Sequence, residues 1–540
     1  MEKITVENFR SIKNKLTIDL TKINILTGTN NSGKSNILKL LVLINDYLKS
    51  NNHLVLSFNG LNSGKHKIDC YQNAINWTNW KTHKTLKFSF ERNNYLVSFE
   101  FIPFVSDNEE KKSAEIQMGR LSRFEFLNKD DNSKIGLLYV SENEYQLYAD
   151  QSIIKELWVK RDYEKNDLET KLRLEQEKAL EMRIVRDLLL QNRRLRTSDK
   201  KYDENIDSLA FHLGFLQNTK FRLAEFELGK NKRLEPGPII MRYNVSDDND
   251  NIPLPIPLLI RDLLRKYFDK IASENTSISR SRNLEGETYT VTRNIERFLY
   301  LNSVHLSPDR SNQARIYLNS ENNTEISRII ADFKAKPFIK NGTADKFLLK
   351  WMMRLNIGLN YRFRNLEGIA TAVEIKDNIG WHNIVDKGFG VGQIFPVLIR
   401  IAEYIEKSGS SKEARKVPQF PSIIVIEEPE SNLHPKFQSY FSDIVLDAVE
   451  NYNLQFIIET HSEYMIRRLQ YLVADKSNNL KNSDVAILYF QETDQKKKKT
   501  KQVYNLGIRP DGMMKRDFGP GFFDEATNQT IELLKKQISN

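Results

Sequence analysis

The sequence predicts an α/β fold in which a glycine-rich loop joins a buried strand to a helix. A short apolar run, residues 23–26, leads directly to Gly28. After Ser35 the apolar residues recur at helical spacing. Two later apolar runs, residues 423–426 and 456–458, end in acidic residues and indicate two further buried strands.

The loop Gly28-Thr29-Asn30-Asn31-Ser32-Gly33-Lys34-Ser35 matches the pattern GxxxxGK[ST] in full. Glycines let successive backbone N–H groups curl around a phosphate, and the next helix points its positive end at the same place. We expect Lys34 to bridge the β- and γ-phosphates of a nucleotide and Ser35 to give a hydroxyl to Mg²⁺. Because a strand and a helix flank the loop, we assign ATP binding to Asn30, Asn31, Ser32, Gly33, Lys34 and Ser35.

The two later strands supply candidate catalytic groups. Glu427 and Glu428 end the first, where a strand can deliver a metal ligand and a base to a sheet edge. We predict that Glu427 reaches Mg²⁺, directly or through water, and that Glu428 polarises the attacking water. The second strand leads to His461, whose ring can hydrogen-bond a γ-phosphate. Taken alone, these residues also fit surface acids and a structural histidine, but the phosphate loop favours the catalytic interpretation.

Composition shifts divide the chain into residues 1–150, 151–295 and 296–540. The first segment contains alternating strands that predict antiparallel hairpins, one turning at Asn93-Asn94. The second is charged and helical, with an imperfect seven-residue repeat in residues 167–196. It predicts an inserted helical arm or, equally, a helical subdomain packed on the head. In the third segment, strands and helices return.

The chain has 540 residues and a net charge of +10, a mild excess of basic groups that fits either an ordinary solvated surface or contact with nucleic acid. The same alternative applies to the lysine run 496–499, a solvated hairpin tip or a phosphate contact. Cys70 is the only cysteine, which excludes an internal disulfide and fits a reducing cytosol. No apolar run approaches the roughly 20 residues of a membrane span, so we expect a cytoplasmic protein without a membrane partner.

The order of these motifs resembles that of the ABC-like ATPases related to the SMC, RecF and overcoming-lysogenization-defect (OLD) proteins. The resemblance covers roughly residues 1–140 and 295–540 and leaves out the helical insert. Leu306-Ser307-Pro308-Asp309-Arg310 is similar to a family segment that usually reads Leu-Gly-Pro-x-Arg, and the ending from Gly512 to Glu525 is similar to that of stand-alone members. The main motifs behind this resemblance are Asn8-Phe9-Arg10-Ser11, the phosphate loop, Glu427-Glu428-Pro429-Glu430-Ser431-Asn432-Leu433-His434-Pro435 and Glu459-Thr460-His461-Ser462.

The resemblance implies an ABC-type ATPase head: a mixed sheet with the phosphate loop, an antiparallel β lobe and an inserted helical or coiled-coil subdomain. It implies ATP and Mg²⁺ as cofactors. Residues 386–393 stand in the place of the family's signature motif, so Gly390, Gly392 and Gln393 are expected to bind the ATP of a facing subunit. A homodimer or a higher homo-oligomer follows.

Two residues depart from the family pattern. Gly392 stands where a serine usually contacts the γ-phosphate, and it keeps the backbone N–H but loses the hydroxyl. Glu427 replaces the aspartate usual in the broader class, and the extra methylene changes its reach to Mg²⁺. Slow hydrolysis is therefore expected, with ATP serving mainly as a structural or signalling ligand.

Stand-alone ATPases with this resemblance occur in bacterial anti-phage systems such as Septu, some of them attached to retrons, where an HNH nuclease is the separate effector. Other such systems use a separate toprim effector. OLD nucleases carry a further metal-binding domain, but only 79 residues follow His461 and they contain no spaced acidic triad. We therefore expect a sensor or regulator of a separate effector nuclease, favouring the HNH type, and not a nuclease. The alternatives are a RecF- or SMC-type DNA repair or chromosome ATPase, and an ATP-dependent scaffold with negligible turnover.

Overall fold

The structure is a computed structural model. It describes residues 1–50, 52–60, 63–104, 116–141, 144–150, 239–244, 295–308, 314–318, 325–409, 420–491, 502–518 and 525–538, with a few positions between 153 and 264. Several predictions fall on residues outside these ranges: nearly all of the helical insert, the lysine run 496–499, residues 309–310 and residues 519–524 of the ending.

The described elements comprise both strands and helices. The strands are β1 (Lys3–Glu7), β2 (Leu16–Asp19), β3 (Ile23–Gly28), β4 (Val55–Leu56), β5 (Leu86–Arg92), β6 (Tyr95–Phe104), β7 (Met118–Asn128), β8 (Lys134–Ser141), β9 (Glu144–Ala149), β10 (Ile239–Asn244), β11 (Ser303–Leu306), β12 (Tyr317–Leu318), β13 (Asn360–Leu366), β14 (Ala370–Lys376), β15 (Trp381–Asn383), β16 (Ser422–Glu427), β17 (Leu454–Glu459), β18 (Val485–Phe490) and β19 (Val503–Asn505). The helices are α1 (Lys34–Lys49), α2 (Ser63–His66), α3 (Tyr71–Ala74), α4 (Glu325–Ala335), α5 (Thr343–Arg354), α6 (Phe389–Gly409), α7 (Pro435–Tyr452), α8 (Glu463–Ala474) and α9 (Glu525–Ile538).

An antiparallel sheet in the order β10-β9-β8-β7-β6-β5-β1-β2, with β4 on β7, forms the predicted β lobe. Its edge strand β10 lies within the segment 151–295 that was predicted to be helical, and it is a strand because it pairs with β9. The hairpin of β5 and β6 is confirmed: Arg92 pairs with Tyr95, and Asn93 and Asn94 turn the chain with φ of 43° and 66°. A second hairpin, β8 with β9, is also confirmed. β7 pairs with both hairpins and joins them, which alternation within one segment does not predict.

A second sheet, in the order β11-β16-β17-β3-β18-β19, carries the phosphate loop. Its first five strands are parallel, so their carboxyl ends meet at one edge. One face, including Val425 and Ile457, shares a core with α1 and the β lobe. The opposite face, including Ile424 and Ile458, packs with residues of α5 to α8. Strands buried on both faces explain the unbroken apolar runs of the sequence.

A third, smaller sheet contains β12, β14, β13 and β15 and precedes α6. The predicted fold class is thus observed: an α/β head with a mixed sheet bearing the phosphate loop and an antiparallel β lobe. Among the residues that the structure describes, no helix combines the length and apolar character that crossing a bilayer requires.

Candidate functional site

The phosphate loop lies between β3 and α1, as predicted. Gly28 has φ of 128°, and a Cβ there would stand 2.0 Å from the carbonyl oxygen of Phe490, so only glycine fits. Gly33, with φ of 103°, caps α1 without a side-chain acceptor, and no acidic residue occupies the first turn of that helix. The helix N-terminus therefore keeps its partial positive charge and its N–H donors for an anion.

Side chains hold the loop in shape. Lys34 is buried, and its Nζ donates to the carbonyl oxygens of Gly28 at 3.1 Å and Thr29 at 2.8 Å. Burial lowers the pKa of Lys34, while the nearby Glu459 and Glu428 act in the opposite direction. The hydroxyl of Ser32 donates to Thr29 O at 2.6 Å. Asn30 and Asn31 are exposed at the loop tip. A negatively charged ligand at this tip would find the lysine charge within the loop.

Gln502 and Ser11 brace the loop from outside, and sequence reasoning assigned neither of them a role there. Gln502 Nε2 donates to Ser32 O at 2.9 Å. Ser11 Oγ accepts from the side chain of Asn36, in the first turn of α1, at 2.7 Å. The turn at residues 8–11 is thereby attached to the loop, which accounts for its place among the motifs.

The hydroxyl of Ser35 lies against a carboxylate that the sequence motif contained but to which no role was given. Ser35 Oγ donates to Glu459 and stands 3.1 Å from each carboxylate oxygen. Glu459 ends β17 and pairs in register with Glu427, which ends β16. Burial first, and the negative charge of Glu427 second, raise the pKa of Glu459 to about 7. The signal in the sequence was the same as for Glu427, an apolar strand ending in glutamate.

Glu427 itself faces a histidine. Its Oε1 lies 2.6 Å from Nε2 of His305, a buried residue of β11. Ser35, Glu427 and Glu459 are all oxygen donors, which suits a hard cation such as Mg²⁺ that keeps waters and phosphate oxygens as its other ligands. Among the described residues, no group of three or more histidine, cysteine or acidic side chains forms a complete metal cage.

Glu428 follows β16 in a strained conformation. Its φ is 43°, in the left-handed region that residues other than glycine avoid. Its N–H donates to Glu459 O at 2.8 Å, and its Oε2 accepts from Ser431 Oγ at 3.1 Å. The side chain is exposed. Strain of this kind concentrates at functional sites, and here it turns a carboxylate out of the sheet edge.

His461 lies on the loop after β17, beside the same edge. Its N–H donates to Glu430 Oε1 at 2.7 Å. Burial, followed by the charge of Lys34, lowers the pKa of His461, while Glu428 acts the other way. Burial raises the pKa of Glu430. His461 is therefore within electrostatic reach of both the lysine and the glutamate proposed from the sequence.

The predicted signature segment begins α6. Gly388 precedes the helix with φ of 89°, and Gly390 and Gly392 lie in its first turn. A Cβ on Gly390 would stand 3.3 Å from Asn432 O, so the segment lies beside the turn that follows Glu428. The side chain of Gln393 is buried, and its Oε1 has no hydrogen-bond partner within the described part of the chain.

Comparison with known proteins supports an ATPase. Residues 1–466 match the family described as AAA ATPase domain, and residues 480–533 match one described as protein of unknown function (DUF3696). No curated protein matches the chain.

Solved structures with some likeness include SMC heads. The Smc head domain of Pyrococcus furiosus, with an extended coiled coil and bound to the C-terminal domain of ScpA, is 12% identical, with 98% of each chain covered and a TM-score of 0.34. The Smc head domain of Pyrococcus yayanosii is 12% identical, covering 94% of this chain and 96% of that chain, with a TM-score of 0.34. The SMC head domain of Thermotoga maritima is 9% identical, covering 90% and 94%, with a TM-score of 0.29.

The family match spans most of the 540 residues and includes the phosphate loop, both strand-ending glutamates and His461. It accounts for the glycine-rich loop and the acidic sheet edge together. The chain belongs to the AAA ATPase domain family and is an ATPase that binds ATP.

Proposed function

We propose that this ATPase holds Mg²⁺ and ATP on residues 28–35 and hydrolyses ATP with Glu428 as the general base. The observation that carries the proposal is the meeting of Lys34, Ser35 and three glutamates at one edge of the parallel sheet. A cationic loop beside clustered carboxylates suits a phosphate that arrives with a divalent cation.

In this proposal the backbone N–H groups of residues 30–34 surround the β-phosphate, and Lys34 reaches the β- and γ-phosphates. Ser35 and Glu427 hold Mg²⁺, with Glu459 beside them. Mg²⁺ supplies neutralisation of phosphate charge when it is bound. Lys34 leaves its two carbonyl acceptors to meet the nucleotide, which exchanges two neutral acceptors for charged ones.

Glu428 accepts a proton from the attacking water in this mechanism, and Ser431 restrains its carboxylate. His461 donates a hydrogen bond to the γ-phosphate.

Two heads are proposed to close around ATP. Gly390 of one copy would then face the nucleotide of the other, with the buried residues Gly392 and Gln393 behind it in α6. A two-fold axis would satisfy both sites at once. The place of this segment, beside the turn after Glu428, supports a surface that continues from the catalytic edge. The helix N-terminus at Phe389 would present N–H donors to the second nucleotide.

In the cell, we propose a regulator of an anti-phage complex with a separate effector nuclease, HNH-type favoured. The support is the motif order described above, together with a family match to an ATPase. A DNA-directed ATPase of RecF or SMC type is the competing outcome.

The chemistry is tested with two variants and two matched controls. Lys34→Ala should abolish ATP binding measured by calorimetry, whereas Lys346→Ala, an exposed lysine on α5, should not. Glu428→Gln should retain binding and lose about 2–4 orders of magnitude in phosphate release. Glu367→Gln is its control, because Glu367 is also exposed with φ of 48°. Equal loss in both glutamine variants would show that Glu428 is not the base.

The cellular role is tested by phage challenge of bacteria that express the chain together with any nuclease gene found beside its own. Protection that requires both proteins and fails with Lys34→Ala supports the proposal. Lack of protection, combined with ATP hydrolysis stimulated by DNA alone, favours the DNA-directed ATPase. Lack of protection with negligible turnover favours a scaffold.

A further inference from the structure

His305 is a buried histidine that the mechanism above does not use. It lies in β11 and is 7% exposed, and its Nε2 stands 2.6 Å from Glu427 Oε1. A carboxylate offers only acceptors, so the ring nitrogen donates in this contact. The side chain of Glu427 is itself only 16% exposed.

The pairing of β11 with β16 brings His305 and Glu427 together. β11 pairs in parallel with β16, and His305 stands opposite Val425. Glu427 is two residues further along β16, so it shares a face with Val425 and comes within reach of the ring. Lys65 Nζ donates to the backbone carbonyl of His305 at 2.6 Å and ties the strand to α2.

A histidine side chain is energetically unfavourable at this buried position. Its Nδ1 is buried and has no hydrogen-bond partner among the described residues. An unpaired buried polar atom destabilises the folded chain, a cost that an aliphatic side chain on the same strand would avoid. The contact with Glu427 is what the ring provides in return.

We propose that His305 is a positioning residue that fixes the carboxylate of Glu427 for Mg²⁺. Glutamate has one more rotatable bond than aspartate, so an unrestrained Glu427 would sample several arrangements. Holding Oε1 restricts the orientation of this carboxylate at the end of β16, next to Glu459, which contacts Ser35. Hydrogen bonds behind a metal ligand are worth about 10–100-fold in metal affinity or activity.

The inference rests on the proposed role of Glu427, and the test separates the two. His305→Leu should raise the Mg²⁺ concentration for half-maximal ATP hydrolysis by about 10–100-fold. His305→Gln should restore most of it, because its amide nitrogen can stand where Nε2 stands. His305→Asn should not, since its shorter side chain places the amide nearer Nδ1.

Binding provides the second readout. Calorimetry should show that His305→Leu weakens ATP binding in the presence of Mg²⁺ but not in EDTA, and Mn²⁺ binding followed by electron paramagnetic resonance should weaken in parallel. Equal loss with and without Mg²⁺, or an unchanged Mg²⁺ requirement in His305→Leu, overturns the inference. If His305→Leu does not fold, the contrast between the glutamine and asparagine variants decides, and equal Mg²⁺ requirements in these two overturn it. Wild-type protein that fails to bind ATP in the presence of Mg²⁺ would instead defeat the proposed function.

Discussion

Replacing Glu459 by glutamine should make the nucleotide-free protein more stable at neutral and alkaline pH. Glu459 is 6% exposed, and burial together with the charge of Glu427 raises its pKa to about 7 from an ordinary value of 4.5. Glutamine keeps an oxygen that can accept the hydrogen bond of Ser35 but never carries the charge.

The sign and size follow from proton binding. Because the pKa is higher in the folded chain, the folded chain binds more protons between about pH 4.5 and 7. The contribution of Glu459 to the free energy of unfolding is therefore fully present below about pH 4.5 and is lost as the pH rises through 7. At about 1.4 kcal/mol per tenfold change in proton affinity, the loss approaches roughly 3 kcal/mol at pH 8.

The assay is denaturant unfolding in EDTA at about pH 5, 6, 7 and 8 for the wild type and Glu459→Gln. The variant should gain roughly 2–3 kcal/mol relative to wild type between the lowest and highest pH. Glu427→Gln should show part of this gain, since it removes the second cause of the raised pKa. A difference between Glu459→Gln and wild type that stays constant with pH refutes the reasoning.

Three further changes test other parts of the head. Gly28→Ala forces a Cβ to 2.0 Å from Phe490 O and should lower the free energy of unfolding by roughly 3 kcal/mol or more, so an unchanged denaturation midpoint contradicts the packing. Gly390→Arg should keep ATP binding but prevent the dimer that mass measurement with a non-hydrolysable ATP analogue should detect in wild type. Arg92→Met removes the guanidinium that donates to the carbonyl oxygen of Tyr300 at 2.9 Å and leaves that oxygen without this donor. The free energy of unfolding, measured by denaturant titration, should fall by about 1–3 kcal/mol.

The sequence predicted those parts of the site that a few neighbouring residues encode. The phosphate loop carries its own glycines and is flanked by its own strand and helix, so its conformation follows from local pattern. The glutamate pair at 427 and 428 follows in the same way from one apolar run. The hairpin at residues 86–104 needed only alternation and two asparagines.

Contacts between strands distant in sequence could not be predicted in this way. Ser35 and Glu427 were both assigned to Mg²⁺, yet the hydroxyl of Ser35 contacts Glu459, and Glu427 contacts His305. These partners depend on the strand order β11-β16-β17-β3, which no local pattern specifies. In the sequence, His305 is one of two polar residues in a four-residue strand, without a spacing that marks it.

The position of β3 also has a consequence for how the protein is made. β3 is completed at residue 28, but both strands that flank it, β17 and β18, begin only at residues 454 and 485. At about 5–20 residues per second, a ribosome needs roughly 20–90 s to reach them, and the apolar strand waits unpaired for that time. Long-range parallel pairing is also slow to form. The phosphate loop is therefore synthesised long before the strands that complete the site around it. Nucleotide can stabilise the head only after translation has passed residue 490.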